Sequence, residues 1–224
     1  MARAQVYLDS NIYKFSATRL LRFRPRNVAV SVGGHERVFV VYDPLVVNPN
    51  DRIRNPELKA EADLLPEVAA LSEKGLVRFV ITTETQVEVS GIPDLDSQTG
   101  YFFRTDRQIV DPPVKYSRIL YGGTDDYWQD QFKFLLSLTD ERFLELQRIT
   151  GAYQGRAYNR NQVLDAFHLW CAEHSSCDFF LTLDFKLAKV IERAKRKPMV
   201  PVLRPSQLLT AIRSGNWRPR SSTE

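Results

Sequence analysis

The sequence predicts an α/β fold, a three-layer α/β/α sandwich around a mainly parallel central sheet. Three observations predict it. Short apolar runs alternate with amphipathic stretches of helical length, the pattern of successive βα units. The run Phe179-Phe180-Leu181-Thr182-Leu183 ends in Asp184, where a helix then starts. Val6-Tyr7-Leu8 runs into Asp9-Ser10-Asn11 in the same way. Open α/β sheets place their sites in that setting, outside the C-terminal ends of the strands.

Taken in order, residues 5–8 read as a short buried strand. Ser10 or Asn11 caps a helix over roughly 11–23, which Pro25 ends. In VAVSVGGHERVFVVY, Val28, Val30 and Val32 alternate, Gly33-Gly34 supplies a tight turn, and Val38, Val40 and Tyr42 alternate again. That is a β-hairpin inserted into the βα pattern, since a Gly pair accepts the positive φ such turns need. Asn55-Pro56 starts a helix, Pro66 kinks or restarts it, and Gly75 closes it. Residues 77–81 form the next strand, and Thr85–Ser90 begins another helix. Residues 91–135 are rich in Gly, Pro, Asp and aromatics and have poor periodicity, so short local structure is expected there. Thr139 caps a helix to about Tyr153, and residues 161–174 form a clear one with Leu164, Phe167 and Cys171 inward. A strand at 179–183, a helix at 185–197, an edge strand at 200–203 marked by Pro201, and a closing helix capped by Ser206 complete the chain.

The 224 residues fit a single domain over 1–214. It carries a hairpin insertion at about 28–56, an irregular then helical insertion at about 91–157, and a flexible tail at 215–224. A hydrophobic content of 43% supports a real core. No apolar run approaches the roughly 20 residues that span a bilayer. The start MARAQVYLDS has no signal-peptide core, and Cys171 and Cys177 make no disulfide framework. A cytoplasmic protein without membrane association is expected.

Charge is distributed unevenly. Residues 1–28 carry +5, residues 186–224 carry +8, and the segment between carries −9. Arg19, Arg22 and Arg24 crowd the end of the first predicted helix. Lys186, Lys189 and Arg193 lie on the helix that begins at Asp184. Basic ends around an acidic middle suit a polyanion held near carboxylates that bind a divalent cation, although ordinary solvated faces give the same counts.

Three blocks together carry a resemblance: VYLDSNIY, VITTETQVEV and VLDAFHLWCAEHSSCDFFLTLDFKL. They resemble the PIN domain, the fold of many metal-dependent ribonucleases, over roughly residues 4–27, 76–90 and 160–205. Carried over position by position, the resemblance implies an acidic site of Asp9, Glu88, Asp165 and Asp184. Ser10, Asn11 and Thr182 are its supporting polar groups. Glu84, one helical turn before Glu88, competes with it, and the spacing from Ile81 favours Glu88. The implied cofactor is Mg²⁺ or Mn²⁺, hard cations that prefer carboxylate oxygens. The implied substrate is RNA. An inhibitory protein, which silences many compact members of that family, and a second copy of the chain are the other expected partners. Each acid has a plainer reading: Asp9 and Asp184 as helix caps, Asp165 as a complement to a helix dipole, Glu88 as a solvated residue.

His168, Cys171, His174 and Cys177 are zinc-ligand types spaced by three, but each step of three drifts about 60° around a helix, so the first three do not converge. His168 lies one turn beyond Asp165 and borders the expected site. A phosphatase of the haloacid-dehalogenase type needs an Asp two positions after the first, where this chain has Asn11. No Walker loop or G-x-G-x-x-G occurs. The expected function is ribonuclease, with a catalytically silent RNA- or protein-binding module as the alternative.

Overall fold

The computed structural model describes residues 3–16, 20–33, 35–90, 100, 102, 105–116, 126–153, 157–215 and 217. Five strands build one all-parallel sheet: β1 (Ala4–Leu8), β4 (Val77–Thr82), β5 (Arg107–Val110), β6 (Phe179–Leu181) and β7 (Val202–Leu203), in the order β5-β4-β1-β6-β7. Between β1 and β4 lie α1 (Ser10–Ser16), the antiparallel pair β2 (Leu20–Val32) and β3 (His35–Val47), a 3-10 turn (Pro49–Arg52), α2 (Pro56–Asp63) and α3 (Leu65–Glu73). Next come α4 (Thr83–Ser90), α5 (Asp126–Ser137), α6 (Glu141–Thr150), α7 (Arg160–His174), α8 (Phe185–Arg193) and α9 (Pro205–Ser214).

Strand residues alternate between the two faces of the sheet, and that alternation makes three layers. Val6, Leu8, Phe79, Ile81, Phe179 and Leu181 join one core with side chains of α1, α3 and α9. Tyr7, Val80 and Phe180 join the other, with Leu146, Phe167 and Leu187 of α6, α7 and α8. Tyr7 and Phe180 stack at 5.5 Å between ring centres, joining the two central strands. The central strands β1, β4 and β6 are largely apolar on both sides because helices cover both faces, as parallel sheets require. No helix among the described residues is long and apolar enough to cross a membrane.

Most predicted elements are present, and the differences have identifiable causes. The first helix stops at Ser16 instead of running to about 23, and Pro25 lies inside β2. Residues 20–27 pair with residues 40–47, so the hairpin spans 20–47, wider than the expected start at 28. Cross-strand pairing there overrides the helical reading of Leu20 to Phe23. Proline is tolerated because both strands of a two-stranded sheet are edges. Gly33 turns the ribbon at φ 60°. Pro66 restarts a helix after the break at Leu64, as expected, and Gly75 follows at φ 67°. The 139–153 helix is capped by Asp140, whose Oδ1 accepts from the Phe143 N–H at 3.0 Å, and not by Thr139. The closing helix begins at Pro205, so Ser206 is inside it. Of the stretch 91–135, residues 100, 102, 105–116 and 126–135 are described, with β5 and most of α5 among them. The expected tail falls outside the described residues, apart from Gly215 and Trp217.

Candidate functional site

β1 and β6 are neighbours in the sheet, with Leu8 opposite Leu181. Their C-terminal ends therefore bring Asp9 and Thr182 together across 173 residues of chain. The Thr182 hydroxyl donates to Asp9 Oδ2 at 2.6 Å. The Asn11 amide donates to the same oxygen at 2.7 Å and to Thr182 Oγ1 at 3.0 Å, while its carbonyl accepts from the Leu183 N–H at 3.0 Å. Thr182 Oγ1 also accepts from the Asp184 N–H at 2.8 Å. One compact knot thus fixes the two strand ends and leaves Asp9 Oδ1 outside it. Asp184 caps α8, with Oδ1 accepting from the N–H groups of Lys186 and Leu187 at 2.7 and 3.0 Å. Its cap role and its place at the site are compatible, because the cap engages only one carboxylate oxygen.

α4 and α7 supply the other wall. Glu88 Oε1 meets His168 Nε2 at 2.8 Å, and Ser10 also bonds Glu88. His168 Nδ1 meets the Tyr7 hydroxyl at 3.0 Å, and that hydroxyl reaches Thr82 at 3.0 Å and Thr85 at 3.1 Å. Tyr7 and His168 are essentially without solvent access. Asp165 lies one turn before His168 on α7 and makes no hydrogen bond among the described residues.

The charges show which groups face one another. Burial raises the Asp165 carboxyl well above its usual range, and the charges of Asp9, Asp184 and Glu88 push it in the same direction. Burial also raises Asp9, with Glu88 and Asp184 adding to it against the Thr182 hydrogen bond and His168. Burial alone would raise Glu88, but His168, Ser10 and Arg160 outweigh it and hold that carboxyl low. Burial alone would lower His168; Glu88, followed by Asp9 and Glu84, instead lifts it to about 9. At neutral pH the ring is therefore an imidazolium among carboxylates, donating to Glu88 and Tyr7.

All four predicted acids share one electrostatic neighbourhood at the C-terminal end of the sheet. They are not closed around a point. As placed, no three His, Cys, Asp or Glu side chains among the described residues are arranged to hold a metal ion. The donor chemistry nevertheless fits a hard divalent cation: carboxylates only, mutually repelling, with free oxygens on Asp9 and Asp184.

Glu84 has a different environment from Glu88. It is buried, is bonded by the Tyr116 hydroxyl and accepts from Gln131 Nε2 at 2.6 Å. It lines a separate cavity of about 330 Å³ with Val87, Asp111, Val114 and Tyr116. Cys171 and Cys177 are fully buried in the second core, and His174 is exposed at the end of α7.

The predicted cationic residues divide. Lys186, Lys189 and Arg193 are exposed on α8 without an acidic partner among the described residues. Arg24 is not at a helix end as expected; it is exposed on β2, and Arg22 lies on the same strand. Arg19 falls outside the described residues. Sequence reasoning missed Tyr7 as a site neighbour. Its one signal is a hydroxyl in an otherwise apolar strand, where burial demands a partner. No protein-family model matches the chain, and no curated protein matches it.

Proposed function

We propose that this protein is a Mg²⁺- or Mn²⁺-dependent ribonuclease of the PIN-domain type, hydrolysing RNA phosphodiester bonds at Asp9, Glu88, Asp165 and Asp184. The observation that carries the reading is the knot of Asp9, Asn11, Thr182 and Asp184 at adjacent strand ends, with Asp165 and Glu88 acting on it electrostatically. A divalent ion held there would lower the pKa of a coordinated water and offset the phosphate charge. Asp9 would present its free Oδ1, and Asn11 and Thr182 would keep that carboxylate from rotating. Asp184 would present the oxygen its cap does not use. His168 would hold Glu88 ionised and in one orientation. Lys186 and Lys189, next to Asp184 along α8, would meet backbone phosphates without reading sequence.

The test is cleavage of a labelled single-stranded RNA by nuclease-free protein in Mn²⁺. Cleavage should stop with EDTA and with Asp9→Asn or Asp184→Asn. Asn still caps helices, so the second variant should remain folded. Intact RNA in Mn²⁺, with folded parent protein, ends the proposal. One observation favours a second reading, a silent RNA- or protein-binding module: the acids do not close into a ligand set. Such a module would show no melting shift with Mn²⁺, whereas the nuclease gains stability by mass action.

A further inference from the structure

The β2–β3 ribbon is the largest feature outside the sandwich. Its strands pair with each other from Leu20↔Val47 to Val32↔His35 and form a sheet of their own. Thirteen residues of antiparallel strand extend about 44 Å. Nearly every described side chain on both faces is exposed. A lone two-stranded ribbon is marginal in water, and three or more strands or a packed face make one stable.

The two faces differ. Pairing puts Phe23, Pro25 and Ala29 on one side with Tyr42, Val40 and Val38, and only Glu36 at the tip is charged there. Phe23, Val38, Val40 and Tyr42 are 55–65% exposed. The opposite side also exposes Val30, Phe39, Val41 and Leu45, but sets Arg24, Arg26, Arg37 and Asp43 among them, with Arg26 paired to Asp43 at 2.7 Å. Contiguous exposed apolar surface of this kind marks a protein contact rather than a phosphate track.

We propose that the apolar face of the ribbon packs against the same face of a second copy of this chain, making a two-fold dimer joined by four strands. Three features select this occupant. Apart from Glu36 at the tip the face carries no charge, so two copies meet with little repulsion. A second ribbon matches it in length and supplies the packed face that a lone ribbon lacks. The area is adequate: each face offers roughly 600 Å², and two together reach the ~1,200 Å² at which specific interfaces begin. Edge-to-edge joining is disfavoured, because Pro25 and Pro44 remove an N–H from the outer edge of each strand. The face is the remaining route.

Sedimentation or light scattering of the full chain at micromolar concentration tests this. The parent should be a dimer. Val38→Glu with Tyr42→Glu should weaken association by about 100-fold or more, since it buries unpaired charge. Arg37→Glu, on the other face, should leave it unchanged. Asn27→Cys, mid-ribbon on the apolar face, should cross-link to its copy with a short bis-maleimide; the native cysteines are buried. That readout stands even if the double charge variant disorders the ribbon. A monomeric parent, a dimer that survives Val38→Glu with Tyr42→Glu, or no cross-link at position 27 overturns the proposal. A monomeric parent that loses RNA retention with Arg37→Glu overturns it in favour of a nucleic-acid arm.

Discussion

Three hydrogen bonds link Asp9, Asn11 and Thr182, and the carboxylate accepts two of them on one oxygen. Thr182 acts twice, giving its proton to Asp9 and accepting the Asp184 N–H. Thr182→Ala should therefore loosen both acids at once. Calorimetric titration with Mn²⁺ should show affinity reduced about 10–100-fold, the range for residues that orient ligands without touching the ion. His168→Ala should give a loss of similar size through Glu88. The His168–Glu88 pair also sets a pH signature. The folded-state pKa of His168 is raised from 6.5 to about 9, so its stabilisation is full below pH 6.5 and is lost as pH rises through about 9. Parent melting temperature should fall across that window, and His168→Gln should flatten the fall. Asp165 and Asp9 have the opposite character to an ion-paired acid. Their raised values mean that the apo fold loses stability as pH climbs above the ordinary carboxylate range. The Mn²⁺-induced melting shift should accordingly be larger at pH 8 than at pH 5.5.

Among elements, the site depends on β1 and β6 being adjacent, and Tyr7 stacked on Phe180 is part of what registers them. Phe180→Ala should cost about 3–5 kcal/mol by urea unfolding. These strands were legible in the sequence because a parallel sheet covered on both sides needs continuous apolar runs. Glycine and proline signals at Pro66, Gly75 and Gly33 were legible for the same local reason. The end of α1 was not. Leu20 to Phe23 suit a helix as well as a strand, and only pairing with Pro44 to Val47, a contact between distant residues, decides between them. The misplaced caps at Thr139 and Ser206 are shifts of one or two residues, where neighbouring polar or proline residues compete. Glu88 and Asp165, inside α4 and α7, were reached only through the family resemblance, whereas Asp9 and Asp184 were legible through strand–helix junctions. The Tyr7–His168–Glu88 chain was not, because it joins three elements that no local pattern relates.

At the scale of the whole molecule, the ribbon is an appendage and the sandwich is the folding unit. Replacing residues 20–47 by a short Gly/Ser loop should leave the melting temperature of the sandwich within about 3 °C of the parent, because loop length alters closure entropy only slowly. The same change should abolish dimers. The sheet order has a further effect in time. β1 is made before the other four strands of its sheet, yet it is clasped between β4 and β6, and Thr182, which bonds Asp9, follows 173 residues later. While the chain is still emerging from the ribosome, with RNA on every side, its acids are scattered along an unfinished polypeptide. The pocket is assembled only after residues 160–184 have left the ribosome and folded against β1.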